Sequence, residues 1–422
     1  MKYLIILICI STTTTTQFFN KPSLTADNHH FNHIDMIEHR RDFIRKVGIA
    51  ALGAAGLSNG LYAQSMKERG NFAILTKTRL PPVKISASRV IKESVGLRPF
   101  RRSGPRIESQ ELGNKRIIHN YGHGGSGWSL SWGSAMLAAE LVPEDASLKK
   151  IAVMGCGVLG LSTARTLQQK GYEVTIYTKD VYPNVTSAMA TGTWSPSHKL
   201  IEPEKVTDEF QEKFKRAYYH SYHTYQRMLG LNQVVDWMDN YSIKGENTAS
   251  SNPKEAQLKT QLITKEMDFY PKGEALSRRE NPFRFKEVTK NPTTIFNIPS
   301  YLKMLTNDFL LAGGKLEIKE FGRPEDVDAL PEKCVVNCTG LGAMKLFGDS
   351  DLVPVSGQLC FLIPQPELTY RANMSGVYFI PRRDGIMLGG NHIEGNWDTS
   401  PDPLVKEKFL TTVEAMMENL KG

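Results

Sequence analysis

Apolar runs and glycine-rich turns alternate most sharply in the middle of the chain. Ile151-Ala152-Val153-Met154 is unbroken apolar sequence that stops at a glycine, the pattern of a short strand covered on both faces. Helical spacing of apolar positions over 161–170 and a second short run over 173–177 extend this to strand, turn, helix, strand across 150–178. Upstream, 117–142 passes from an apolar strand through a glycine-rich turn into a helix. Downstream, a proline at its start opens an amphipathic helix over 299–312, 334–337 is a short buried strand, and 404–420 is another amphipathic helix. The polar-rich segment 199–295 predicts helices, punctuated by Pro and Asn near its end. Short strands and turns begin at Arg89, while 64–87 reads as a polar arm and 141–150 as a linker.

Before the arm, residues 38–63 show a basic start, a mild Gly/Ala-rich apolar stretch and a small residue at the end, the form of an export signal. Arg40-Arg41 followed by Phe43, Ile44 and Arg45 resembles the twin-arginine signal, which carries proteins already folded around a cofactor. Export machinery of that type and a periplasmic destination are therefore expected. The apolar run over 3–10 is too short to span a bilayer, and Met36 is an alternative start.

Removing residues 1–63 leaves roughly 360 residues, enough for two closely joined domains around a buried cofactor. With 40% hydrophobic and 23% charged residues, composition excludes a disordered chain and a multispanning membrane protein. The formal charge of +8 is spread without a long basic run, which argues against nucleic acid as a partner. Outside the leader, Cys156, Cys334, Cys338 and Cys360 lack zinc-type or disulfide-framework spacing and read as small buried residues, so no metal site is expected.

Gly155-Cys156-Gly157-Val158-Leu159-Gly160 stands between the first strand and the helix. The first glycine permits a tight turn, the second lets the backbone approach a pyrophosphate, and the third lets helix and strand pack closely. Amides at the helix start would hold the diphosphate. The acid that normally meets the ribose is displaced: Lys179 takes its place and Asp180 lies one residue beyond. This fingerprint alone does not choose between FAD and NAD.

The remaining motifs choose. His119-Asn120-Tyr121-Gly122-His123-Gly124-Gly125-Ser126-Gly127-Trp128-Ser129-Leu130-Ser131-Trp132-Gly133 resembles the HNYGHGG signature of the D-amino-acid oxidase family, and Gly96-Leu97-Arg98-Pro99-Phe100-Arg101 resembles that family's GxRPxR segment. Similar matches occur at 189–196, 335–340, 356–358 and 378–381, and at Gly389-Gly390. Their order departs from the family: the two segments that ordinarily close the chain here precede the fingerprint that opens it. The resemblance thus implies a circularly permuted α/β protein, with the 141–150 linker joining the old ends. Its Rossmann-type FAD-binding domain would comprise 106–198 and 296–345. A mainly antiparallel-sheet substrate domain would comprise 88–105, 199–295 and 346–422.

The glycines of 122–127 leave a backbone able to lie against a flat ring, and the helix after them can face the flavin edge that becomes negative on reduction. The resemblance assigns Gly124, Gly125, Gly127, Trp128, Ser129, Thr186, Ser187, Gly192, Trp194, Phe321 and Gly340 to the cofactor, beside Gly155, Gly157, Val158, Leu159, Gly160, Lys179 and Asp180. It gives Arg98 and Tyr378 the substrate carboxylate, a pairing suited to a planar guanidinium, and the Gly125 carbonyl the amine. The implied reaction is hydride transfer from the α-carbon of a D-amino acid to the flavin, followed by oxygen reduction to peroxide. No protein base is required if the amine enters neutral.

Met374 replaces a lid tyrosine of some relatives, and Arg371 stands where aspartate-specific relatives hold an arginine. With Arg371 read as a solvated loop residue and Met374 as lining an apolar pocket, neutral D-amino acids are the expected substrates. With Arg371 in the pocket, D-aspartate or D-glutamate is expected instead. A dehydrogenase with another electron acceptor and a non-catalytic flavin protein are the rival readings.

Overall fold

The computed structural model describes residues 79–230, 234–245, 253–264, 267 and 272–421. The chain divides into Met1–Thr76 and Lys77–Gly422, and all the elements named below belong to the second unit. The leader with Arg40-Arg41, the apolar run over 3–10, Met36 and most of the arm lie outside the described residues.

Among the described residues the strands are, in chain order, β1 (Val90–Arg101), β2 (Arg106–Leu112), β3 (Lys115–Tyr121), β4 (Lys150–Met154), β5 (Glu173–Thr178), β6 (Val235–Ile243), β7 (Glu274–Ala275), β8 (Val288–Phe296), β9 (Lys315–Ile318), β10 (Cys334–Asn337), β11 (Leu352–Leu362), β12 (Tyr370–Met374), β13 (Val377–Arg382), β14 (Gly385–Gly389) and β15 (Ile393–Glu394). They form two sheets. One has six strands in the order β2-β3-β10-β4-β5-β9, all parallel except the β2–β3 pair. The other, with nine, runs β1-β11-β14-β13-β12-β6-β8-β7 with β15 on β11, and is antiparallel except where β12 meets β6.

The unbroken apolar run of β4 follows from cover on both faces. Ile151 and Val153 join Val336, Leu161 and Phe309 in one core, while Ala152 and Met154 join Ile117, Val335 and Leu346 in another. The helix Val158–Gln169 returns the chain from β4 to the parallel strand β5, completing the expected unit. The helix Gly127–Glu140 follows β3 and leads through the 141–149 connection into β4, so the permuted segments enter one sheet on either side of β10. In the second sheet β11 is buried along its length. One face packs on Phe409, Val413 and Met416 of the helix Pro403–Glu418; the other holds Leu359, Phe361, Ile380 and Met387.

The segment 199–295 departs from its predicted helical character. Helices Asp208–Met228 and Pro253–Leu262 are present, but β6 and β8 pair over nine residues. Asp236, Asp239 and Asn240 obscure the alternation of β6, and Pro292 interrupts β8, a feature that argues against a strand. Pro292 is tolerated because β8 meets β6 on one side, while β7 reaches only Lys290 and Thr289 on the other.

Candidate active site

At the fingerprint, Gly155 adopts φ +99, and a Cβ there would stand 2.7 Å from the Cys338 carbonyl oxygen. A Cβ on Gly160 would fall 1.9 Å from the Gly155 carbonyl oxygen, so helix and strand close only over glycine. Gly157 caps the helix Val158–Gln169 without a side-chain hydrogen bond. Ser187 accepts from the Val158 amide (2.9 Å), and its own carbonyl accepts from Trp128 Nε1 (3.0 Å). A helix start capped by glycine, beside two forced glycines, is a cradle that a diphosphate fits. Beyond β5, the exposed Lys179 and the half-buried Asp180 form an ion pair at 3.8 Å. Phe321 sits edge-on to Tyr177 at 6.3 Å between ring centroids.

The second glycine-rich turn joins the two sheets. Gly124 donates to the Pro99 carbonyl (2.8 Å), and Phe100 bridges His123, which places Arg98 next to the 122–127 loop. Pro99 is also the neighbour that a Cβ on Gly340 would meet. Opposite the loop lies 198–199: a Cβ on Gly124 would fall 1.8 Å from the Lys199 carbonyl oxygen, and one on Gly125 would fall 2.3 Å from His198 Cδ2. Gly127 has no such constraint, since its Cβ would make ordinary contact with His123. The helix ladder begins with Leu130 donating to Ser126 (3.0 Å), leaving the amides of Gly127, Trp128 and Ser129 ahead of it. The Trp128 ring is buried between Phe296 and Tyr301, so its backbone rather than its indole faces the loop. Ser129 accepts from the Ser195 amide (2.7 Å). Gly192, at φ +80, accepts from Phe296 (2.7 Å), and Trp194 stands edge-on to Tyr218, Tyr222 and Tyr225.

Three side chains from the second sheet converge. Arg98 Nη1 is buried without a hydrogen-bond partner. Burial lowers the Arg98 pKa, and Tyr378 partly counters this. Tyr378 packs over Gly389, where a Cβ would stand 2.8 Å from its hydroxyl. Burial raises the Tyr378 pKa while Arg98 and Arg371 oppose the rise, so the phenol lies in the field of both. The Arg371 guanidinium carbon is 5.7 Å from the Tyr378 ring centroid, and its Nε is buried without a partner. Burial pushes the Arg371 pKa down to about 10.

This corrects the reading of Arg371 as a solvated loop residue. It lies in β12 opposite Asn240 of β6, and strand alternation directs it to the Tyr378 face. The same alternation sends Met374 to the other face, where it packs in the core with Tyr241, Phe379 and Phe409 instead of lining an apolar pocket. The expectation of neutral substrates loses both supports.

Sequence reasoning missed Gly357, whose absent side chain makes room for the Arg98 guanidinium, although it stands within the Ser356-Gly357-Gln358 motif. It also missed His198, which meets Glu255 across 57 residues of chain that no local pattern connects.

The chain matches the family model "FAD dependent oxidoreductase" over residues 60–141 and 150–422. A D-amino acid oxidase of Dugesia ryukyuensis is 29% identical over 294 residues, 64% of this chain and 78% of its own. Human D-aspartate oxidase is 27% identical over 279 residues, covering 65% and 77%. Among solved structures, glycine oxidase from Bacillus cereus aligns over 64% of this chain and 80% of its own, with 15% identity and a TM-score of 0.45.

Proposed function

Because this chain belongs to the family of FAD-dependent oxidoreductases, we propose that it oxidises D-amino acids to 2-oxo acids, with release of ammonia and hydrogen peroxide, and that its preferred substrates carry a second carboxylate. The observation that supports this most is the pair of buried, partnerless guanidinium nitrogens, on Arg98 and Arg371, in the field of one half-buried tyrosine, Tyr378. A buried cation without a partner is costly, and one carboxylate for each removes that cost.

FAD is the cofactor of the family, and the residues present fit it. The amides of Gly157, Leu159 and Gly160 would hold the diphosphate, beside Val158, whose own amide donates to Ser187. The backbone of Gly124 to Ser129, with Thr186, Ser187, Gly192, Trp194 and Gly340, would surround the ring, and Lys179, Asp180 and Phe321 the adenosine end. When bound, FAD accepts two electrons and the α-hydrogen of the substrate and passes the electrons to oxygen.

The protein's own contribution is mainly orientation. Arg98 grips the α-carboxylate in a bidentate pair, the Tyr378 hydroxyl donates to the same group, and the Gly125 carbonyl accepts from the amine. These three contacts leave one face of the α-carbon presented, and so select the D-configuration. Arg371 holds the side-chain carboxylate across the Tyr378 ring. The Arg40-Arg41 segment supports export of the folded, cofactor-loaded protein to the periplasm, which cell fractionation tests.

Oxygen uptake and peroxide formation by the holoprotein test the reading with D-aspartate, D-glutamate, D-alanine and their L-forms. The expected result is turnover of D-forms only, with acidic substrates ahead of D-alanine by about 10-fold or more, the worth of one charge-assisted contact. Faster turnover of D-alanine overturns the dicarboxylate preference, and turnover of no D-amino acid overturns the whole reading.

A further inference from the structure

A histidine–carboxylate pair stands at the loop assigned to the substrate amine, and the clamp does not use it. His198 Nδ1 lies 3.3 Å from Glu255 Oε2, with their side chains 35% and 22% exposed. With Nδ1 so engaged, the free nitrogen of the ring is Nε2, bonded to Cδ2, and Cδ2 is the atom that forbids a side chain on Gly125. The His198 ring therefore lies against the residue whose carbonyl is assigned to the amine, with Cδ2 nearest a Cβ position there (2.3 Å), Cγ at 3.2 Å, and Nε2 the next atom beyond Cδ2. The arrangement is braced from both sides. Glu255 accepts the Lys199 amide through its other oxygen (3.1 Å), and Ser126, next to Gly125, donates to the His198 carbonyl (2.9 Å). The strained backbone of Lys199, at φ +48, fixes the turn that presents the ring.

We propose that His198, carried by Glu255, is the proton acceptor for the substrate ammonium. This rests on the oxidase reading and answers a need it leaves open, since a free amino acid carries its amine protonated at neutral pH. An N–H bond of the ammonium breaks, its electron pair stays on the substrate nitrogen, and a new N–H bond forms at His198 Nε2. The imidazolium, stabilised by Glu255, then releases the proton to water, to which its partial exposure gives access. Glu255 suits this role: burial would raise its pKa, yet the His198 hydrogen bond and charge and the Lys199 amide bring it below the usual carboxylate value.

The charged surroundings drive the proton outward. Lys199 follows His198 in the chain and pairs with Glu394 at 3.9 Å. The His392 ring lies 6.1 Å from that of His198, and its pKa is lowered by burial and by His198, Lys199 and Arg98, with Glu255 opposing. His392 is therefore a poor acceptor, which leaves water as the destination of the proton.

The test is the pH dependence of anaerobic flavin reduction by a D-amino acid in wild type, His198→Gln and Glu255→Gln. Near pH 7, His198→Gln should reduce about 10²-fold more slowly, the usual worth of a positioned base. Above the pKa of the substrate's own amine the two rates should converge, because the amine then enters neutral. Added imidazole should restore part of the loss, and Glu255→Gln should show a smaller deficit of the same pH shape. Binding of a carboxylate that lacks an amine, read from the flavin spectrum, should be unchanged in both variants. A deficit equal at every pH, or none, overturns the proposal while leaving the oxidase reading intact. Failure of every D-amino acid to reduce the wild-type flavin overturns both.

Discussion

Gly357 and Arg98 occupy adjacent strands, and a Cβ on residue 357 would stand 2.2 Å from Nη1 and 2.8 Å from Nη2 of the guanidinium. The arginine uses the space that a side chain on β11 would fill. Gly357 adds no interaction of its own, yet it sets where the carboxylate clamp rests. Gly357→Ala should therefore behave as a mild clamp mutation: the flavin stays bound, kcat/KM falls about 10-fold or more, and KM rises. Flavin content and steady-state kinetics measured together check this, and unchanged kinetics would place the clamp elsewhere.

Arg98→Leu removes the charge itself. Loss of a buried, bidentate carboxylate contact costs about 3–5 kcal/mol, or on the order of 10²- to 10⁴-fold in kcat/KM. Flavin stoichiometry should hold, because the fingerprint and the 122–127 loop are untouched. Equal turnover in variant and parent would remove Arg98 from the site.

Arg371→Ala separates the substrate classes. Turnover of D-aspartate should fall by about 10-fold or more, while that of D-alanine holds or improves as a partnerless buried cation disappears. The ratio of kcat/KM for the two substrates is the readout. An unchanged ratio would mean that Arg371 serves the fold rather than the side-chain carboxylate.

Buried histidines make stability sensitive to acid. His119 and His123 are nearly inaccessible, and burial pushes both down to about 3 from 6.5. The unfolded chain therefore takes up protons near pH 6.5 that the folded chain refuses until about pH 3, so stability falls as pH drops through that window. Between pH 7 and pH 5, where carboxylates remain ionised in both states, each histidine should cost on the order of 1–2 kcal/mol. Urea midpoints at the two pH values check the sum, and His123→Gln should remove about half of the difference. A midpoint flat over this range would contradict neutral, buried imidazoles.

The β4–helix–β5 unit was legible in the sequence because cover on both faces demands an unbroken apolar run and the turn demands glycines at fixed spacing. The permuted order was legible from motif order alone. β6 and β8 were not, because Asp236, Asp239 and Pro292 are permitted there only by the position of these strands in the sheet, which local pattern does not carry. Arg371 and Met374 were misread for a related reason: once residues 370–374 form a strand, alternation fixes which side chain faces Tyr378, whereas a loop fixes neither. Gly357 and His198 act through partners far away in the chain, Arg98 and Glu255, and such pairs appear only after folding.

Anaerobic titration of the purified holoprotein with D- and L-amino acids, monitored by flavin absorbance, tests the central claim most directly. The protein should be yellow, release FAD on denaturation, and bleach with D-aspartate at low concentration, with D-alanine only at higher concentration, and with no L-form. A colourless protein, or a flavin that no D-amino acid bleaches while an L-amino acid does, would contradict it.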